Sequence, residues 1–104
     1  MNKFVRNYLE DIQWNKNFSE GWDVSGVLKN RLNENLKYDL RPIEDNKKVI
    51  SYGSKADKIV FDISNKYYIV DFVELRDFVK ENNIKDIHLN EVIKDLDWNI
   101  VLDK

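Results

Sequence analysis

KIVFDISNKYYIVDFVELRDFVKEN, residues 58–82, decides the fold class of this 104-residue chain. Two runs in which apolar residues alternate, Lys58 to Ile63 and Tyr67 to Val70, are typical of strands, and a short polar segment separates them. An amphipathic segment follows the second run directly. The stretch therefore predicts a β-hairpin over about 58–70 that leads into a helix over about 72–82.

Burial of one face is expected to set the register of this hairpin, because a slip by one residue would exchange the two faces. We take Asn65 and Lys66 as the central turn residues, which places Ile63 opposite Tyr68. One face is then apolar, and the other carries both apolar and acidic residues. The apolar face holds Ile59, Phe61, Ile63, Tyr68, Val70 and Phe72, and the mixed face holds Val60, Asp62, Ile69 and Asp71.

The helix after the hairpin has a clear start. Asp71 and Glu74 have the spacing of a capping box, in which an N-cap oxygen and a carboxylate three residues later bind backbone N–H groups. Apolar residues then recur at the three- and four-residue spacing of one buried stripe, at Phe72, Leu75, Phe78 and Val79. Glu74, Asp77 and Glu81 fall on the opposite side. Asn82 and Asn83 are expected to end the helix.

The residues before the hairpin indicate two helices. Apolar residues on one side of a helical wheel predict the first from about Lys3 to Asn15, with Trp14 pointing away. The second is expected to begin at a cap, Asp23 or Ser25, and to carry three leucines at four-residue spacing, Leu28, Leu32 and Leu36.

Short elements complete the expected fold. Val49 to Tyr52 is predicted as a strand, Asn90 as the cap of a short helix through Leu96, and Trp98 to Leu102 as a last strand. The predicted class is α+β: two N-terminal helices, an antiparallel sheet centred on the hairpin, a packed helix and a C-terminal strand. Residues 1–104 are expected to form a single globular domain.

Composition narrows the classes of function. The chain has no cysteine, which excludes disulfides, thiolate zinc sites and a cysteine nucleophile. It has no apolar run of membrane-spanning length, and its first residues do not match a signal peptide, so we expect a cytoplasmic protein. Residues 1–52 carry a charge balance of +1 and residues 53–104 a balance of −3. An acidic second half favours a basic partner, although a well-solvated surface also accounts for it.

Candidates for catalysis or metal binding have simpler explanations. Asp62 and Asp71 share the mixed face of the hairpin, but a hard cation needs more oxygen ligands than this pair offers, and Asp71 is already explained as a helix cap. His88 is the only histidine, and no glycine-rich phosphate loop or nucleophile elbow is present. The sequence therefore predicts no catalytic residue, no metal site and no cofactor, and a small carboxylate-dependent enzyme is the least favoured class.

Two surface features leave alternatives open. Lys29, Arg31, Lys37 and Arg41 lie in or after the predicted second helix with aromatic residues nearby, the ingredients of single-strand nucleic-acid binding. Interspersed acids and the net negative charge make a nucleic-acid-binding regulator the second choice. Trp14 and Trp22 fit either the core or a protein interface.

The hairpin and the helix together, residues 58–79, resemble those of small immunity proteins of bacterial toxin systems, including contact-dependent growth inhibition. This resemblance covers about a quarter of the chain. It implies a cytoplasmic, non-enzymatic protein that binds one cognate toxin domain, often a nuclease, and covers its active or substrate-binding site. It transfers no functional residue. From charge complementarity we expect the partner to contact Asp62, Glu74, Asp77 and Glu81.

Overall fold

The computed structural model describes residues 1–42, 53–86 and 88–104. Within these ranges, a 6-stranded sheet has its strands in the order in which they occur along the chain. Neighbouring strands are antiparallel, except that β3 and β4 run parallel. The strands are β1 (Leu9–Trp14), β2 (Val24–Leu28), β3 (Asn35–Arg41), β4 (Lys58–Ile63), β5 (Lys66–Asp71) and β6 (Asn99–Asp103). The helices are α1 (Asn2–Tyr8), α2 (Phe72–Glu81) and α3 (Leu89–Val92), and short 3₁₀ turns cover Phe18–Glu20 and Ile93–Asp95.

Helices pack on both sides of the sheet, so the described residues form two hydrophobic cores. The α1 side contains Phe4, Val5, Leu9, Val24, Leu28, Tyr38, Val60, Tyr67, Ile69 and Leu102. The α2 side contains Ala56, Ile59, Phe61, Val70, Phe72, Leu75, Val79, Leu89, Val92 and Leu96. Because successive residues of a strand point to opposite faces, Val60 belongs to one core and Ile59 and Phe61 to the other.

The predicted hairpin is present, but its register differs from the expectation. Ile63 pairs with Lys66, so Ser64 and Asn65 are the central turn residues, and Ser64 has a φ of 54°. Positive φ at the first central position is the requirement of a type II′ turn, which fits right-handed strand twist. The shift is by two residues, which preserves the membership of each face. The prediction that only one face is buried is wrong, because Val60 and Ile69 are fully buried on the α1 side.

The first predicted helix is wrong beyond Tyr8. Residues Leu9–Trp14 form an edge strand that pairs with β2. A register shift between Glu10 and Gln13, with a φ of 54° at Asp11, marks a β-bulge. A bulge inserts one residue, so Leu9 and Ile12 reach the same sheet face although they are three residues apart. Helical spacing of apolar residues in this segment is therefore produced by a bulged strand.

The second predicted helix is wrong throughout. Val24–Leu28 and Asn35–Arg41 form an antiparallel hairpin instead. The three leucines of the predicted helix, Leu28, Leu32 and Leu36, all contribute to the α1-side core, from the end of one strand, the connection and the start of the next. Their four-residue spacing thus reflects a chain reversal. The carboxylate of Asp23, one of the two expected caps, accepts the Leu40 N–H at 2.7 Å.

The elements after the hairpin agree better with the expectation. Asp71 is the N-cap of α2, which ends at Glu81 with Asn82 as its C-cap. The last strand is present as Asn99–Asp103. The short helix before it begins at Leu89, after His88 rather than Asn90, and becomes a 3₁₀ turn. The sheet is mixed, which corrects the expected antiparallel sheet, and the strand predicted at residues 49–52 lies outside the described residues.

None of the helices in the described ranges combines the length and the apolar character that crossing a membrane requires.

Candidate functional site

The N-terminus of α2 is held by a network around Asp71. One carboxylate oxygen of Asp71 accepts the backbone N–H of Glu74 at 3.0 Å, as an N-cap does. The other accepts a hydrogen bond from the Lys58 ammonium at 2.8 Å. That ammonium also lies 3.8 Å from the centre of the Trp98 ring, a cation–π contact. Because the Lys58 side chain is largely buried, Asp71 supplies both a cap and the counter-charge of a shielded cation.

Glu74 has a structural role that the sequence did not indicate. Its carboxylate accepts the backbone N–H groups of Asp97 at 2.6 Å and of Trp98 at 3.0 Å. These bonds fix the segment that leads into β6. In a reciprocal capping box the Glu74 side chain would accept the backbone N–H of the N-cap residue. Here it instead connects the first turn of α2 to Asp97 and Trp98, which follow much later in the chain. Glu74 is thus partly engaged within the molecule.

Asp77 and Glu81 lie on the outer side of α2 and are exposed to solvent. The Asp77 carboxylate accepts a hydrogen bond of 3.2 Å from the neighbouring Arg76. Both residues stand opposite the buried stripe of Phe72, Leu75 and Val79. The exposure of these two predicted site residues therefore follows from the helical periodicity.

Further carboxylates extend this acidic surface beyond α2. We call residues 72–97 the acidic helical layer, since they comprise α2, α3, the connection between them and the following 3₁₀ turn. The layer has seven acidic residues and four basic ones, whereas the remainder of the chain has a net charge of +1. Its exposed acids are Asp77, Glu81, Asp86, Glu91, Asp95 and Asp97. The net negative charge of the protein thus originates in this layer.

Asp62, the fourth predicted site residue, is not part of this surface. It pairs in register with Tyr67 and lies on the α1 side of the sheet, where its carboxylate forms an ion pair with Lys104. Burial raises the pKa of Tyr67, and the Asp62 carboxylate raises it further. The structure therefore brings Glu74, Asp77 and Glu81 together on one helix and places Asp62 on the other side of the sheet.

Asp62 and Asp71 do not form a carboxylate pair. They lie at opposite ends of the hairpin, separated by four residues of strand or roughly 13 Å. Each has a lysine partner of its own, Lys104 and Lys58. Among the described residues no group of three or more His, Asp or Glu side chains is arranged to hold a metal ion. His88 is exposed at the start of α3.

The basic residues that suggested nucleic-acid binding are dispersed, because the helix that would have grouped them is a hairpin. Lys29 and Arg31 lie in the turn between β2 and β3. Arg41 is buried in an ion pair of 3.1 Å with Asp39. Lys37 stands 5.5 Å from the centre of the Trp22 ring. Four cations on one helical face are therefore not available to follow a phosphate backbone.

Trp14 and Trp22 have different environments. Trp22 packs against the α2-side core, which settles it as a largely structural residue. Trp14 is 47% exposed in the edge strand β1, two residues from Ile12, which is 45% exposed. The alternation of apolar and polar residues at Ile12, Gln13 and Trp14 is typical of a strand. The helical spacing of the apolar residues before them favoured a helix instead. An exposed apolar edge was therefore missed by the sequence reasoning.

Comparison of the chain with protein-family models, with curated proteins and with solved structures gives no match in any of the three.

Proposed function

We propose that this protein is a non-enzymatic binding module: a cytoplasmic immunity protein that neutralises a cognate toxin domain by covering its active or substrate-binding site. The observation that carries the proposal is the concentration of net negative charge in the acidic helical layer. A surface with a net charge of one sign accelerates the encounter with a partner of the opposite sign and orients it. A toxin domain that acts on nucleic acid carries a basic surface, which is the complement of this layer.

The four acidic residues expected to contact the partner differ in how well the fold presents them. Asp77 and Glu81 project from a helix whose opposite face is anchored in the α2-side core, so they are presented on a rigid element. Glu74 contributes charge, but two backbone N–H groups occupy its carboxylate. Asp62 faces the α1 side and is the second choice of contact. A partner that covers α2 and α3 can contact Asp77, Glu81 and Glu74 at the same time.

The direct test begins with capture of the partner. The tagged protein is used to isolate binding partners from the bacterium that encodes it, and the recovered protein is then studied by stopped-flow or surface-based kinetics at two salt concentrations. Reversing the charges with Asp77→Lys and Glu81→Lys is expected to lower the association rate by roughly tenfold or more and to weaken its salt dependence. The circular dichroism spectrum is expected to stay unchanged.

Glu34→Lys provides a matched control for Glu81→Lys. Glu34 is also exposed but lies between β2 and β3, outside the acidic helical layer, and its reversal changes the net charge by the same amount. Equal effects of the two reversals would show that only overall charge matters. Recovery of nucleic acid in place of a protein partner would replace the proposal with the regulator alternative.

A further inference from the structure

The outer edge of β1 carries an apolar surface that the proposed function does not use. Four large apolar residues of the described chain are markedly exposed: Ile12, Trp14, Val73 and Val101. Two of them lie in this one strand, at the end of the sheet. All residues of β1 after Leu9 are exposed. A strand edge with exposed apolar side chains is a template for pairing with another strand.

The backbone of β1 is oriented for such pairing at Trp14. The Asn15 N–H donates to the Asp23 carbonyl at 2.9 Å, so the backbone N–H of Asn15 is directed towards β2. In an antiparallel pair, bonded positions alternate with non-bonded ones. Trp14, which pairs in register with Val24, is therefore a non-bonded position whose own N–H and C=O point away from β2.

The bulge in β1 aligns the side chains along this edge. Trp14 lies on the α1 side of the sheet because it pairs with Val24, a member of that core. A methyl of Ile12 lies 3.3 Å from the position where a Cβ of Gly26 would stand, and Gly26 pairs with Leu36 on the same side. Ile12 and Trp14 thus form one two-residue apolar ridge beside an edge that no other strand of the described residues covers.

The charges that flank this ridge indicate which strand it receives. Glu10 and Asp11 precede the ridge, and Lys16 follows it. If two copies of this strand run antiparallel, the acidic end of each lies beside the basic end of the other. The apolar ridges then meet in the middle, around Gln13. The segment is therefore complementary to itself in charge and in hydrophobicity, as the surface of a two-fold symmetric dimer must be.

We propose that two copies of this protein associate through antiparallel pairing of their β1 edges, which joins the two sheets into one continuous sheet. Ile12 of one copy then packs against Trp14 of the other, the kind of aromatic and β-branched cross-strand pair that stabilises sheets. Such an edge contact buries little surface, so the dimer is weak and forms reversibly with rising concentration. The acidic helical layer lies outside this contact, so the dimer is independent of the proposed function.

Sedimentation velocity over a wide range of protein concentration tests the proposal. The wild-type chain is expected to shift from monomer to dimer, and the amide of Trp14 is expected to exchange more slowly with solvent at high concentration. Trp14→Lys should weaken the dimer by at least about tenfold, because it places two cations at the centre of the contact. Since Trp14 is half exposed, the folded monomer is expected to remain.

Two matched controls and a charge exchange make this test specific. Val101→Lys alters the opposite edge strand and Val73→Lys alters α2, at residues 43% and 48% exposed, and neither should affect the dimer. Lys16→Glu should weaken the dimer, and adding Glu10→Lys to it should restore the affinity. A wild-type chain that stays monomeric at all concentrations, or a dimer that Val101→Lys disrupts and Trp14→Lys does not, would overturn the proposal.

Discussion

The two cores of this sheet are assembled from different parts of the chain. Every buried member that the described residues contribute to the α2-side core lies between Ala56 and Leu96, in a segment that runs from just before β4 to just after the 3₁₀ turn Ile93–Asp95. The buried members of the α1-side core range from Phe4 to Leu102 and come from all six strands as well as α1. One core is therefore local in sequence, and the other forms only when both ends of the chain meet.

The chemistry of the two cores differs as well. Aromatic rings dominate the centre of the α1-side core, where Phe4 lies 5.2 Å from Tyr67 and 6.3 Å from Tyr38 between ring centres. These edge-on arrangements are favourable but require a defined geometry. The α2-side core is mostly aliphatic, and its helices carry the acidic surface. The local core thus supports the candidate binding face, while the non-local core closes the fold.

The largest expected effects come from one aromatic truncation in each core. Phe61→Ala on the α2 side and Phe4→Ala on the α1 side should each lower the free energy of unfolding by about 3 to 5 kcal/mol, because both rings are fully buried. Urea denaturation measures both. Phe78→Ala should lower the free energy of unfolding by less, about 1 to 2 kcal/mol, because Phe78 is only half-buried. A change below about 1 kcal/mol for Phe4→Ala would mean that α1 does not close a second core.

Folding kinetics of the same two variants would show which core forms first. Contacts that are local in sequence close shorter loops and can form early. Phe61→Ala is therefore expected to slow folding more than Phe4→Ala does, and Phe4→Ala to act mainly by accelerating unfolding. The reverse assignment would show that folding begins with the long-range core.

Asp71→Ala should have the next largest effect. Removal of this carboxylate leaves the first turn of α2 uncapped and Lys58 without its counter-charge, so we expect a loss of about 2 kcal/mol, the upper end of the range for helix caps. Thermal or urea denaturation measures the loss. The exposed Asp77→Ala is the matched control on the same helix and should change stability by less than about 0.5 kcal/mol. Stabilisation of the wild type by Mg²⁺ or Ca²⁺, absent in Asp71→Ala, would revive a metal site there.

Glu74→Gln should cost about 1 kcal/mol, because an amide retains one acceptor oxygen where the carboxylate accepts two backbone N–H groups. Hydrogen exchange should become faster at Asp97 and Trp98 and remain unchanged within β4. Faster exchange along the whole of α2 would instead indicate a general loss of helix stability and contradict a local fastening role.

Of these substitutions, Tyr38→Phe is expected to change the free energy of unfolding least at neutral pH, and to change it clearly at alkaline pH. Burial, followed by the Asp57 charge, raises the pKa of Tyr38 to about 12, and within the described structure its hydroxyl has no hydrogen-bond partner. Because the folded state holds this proton more tightly than the unfolded state does, its contribution to stability is complete below pH 10 and is lost as pH rises towards 12.

Tyr38→Phe should therefore change stability near pH 7 by less than about 1 kcal/mol and reduce the alkaline loss. Urea denaturation at several pH values measures both effects. An equally steep alkaline loss in Tyr38→Phe would place its origin in another group, for which Tyr67 is the first candidate.

The local core was also the part that the sequence predicted best. Alternation in β4 and β5, the cap at Asp71 and the stripe of α2 are signals carried by neighbouring residues, and all three are present in the structure. The N-terminal region was misassigned because a bulge in β1 and a chain reversal after β2 each reproduce the apolar spacing of a helix. The spacing of apolar residues indicates which of them share a face. In this region, pairing with other strands determined whether the backbone is helical or extended.

The candidate site divides in the same way. The exposure of Asp77 and Glu81 follows from their positions on α2 and needs no distant residue. The positions of the other two acids depend on remote parts of the chain: Glu74 holds the backbone before β6, and Asp62 pairs with Lys104. No local pattern identifies such partners. Charge complementarity could therefore identify four acidic residues as candidate contacts, but it could not show which of them lie on the same surface.

Binding of the partner to the acidic helical layer can be observed by an NMR titration of the isotopically labelled protein with the captured partner. We expect the largest chemical-shift changes and line broadening at Asp77, Glu81, Glu91 and Asp95, and little change in β1 and β2. Changes concentrated around Asp62 and Lys104, or along β1, with α2 and α3 unaffected, would contradict it.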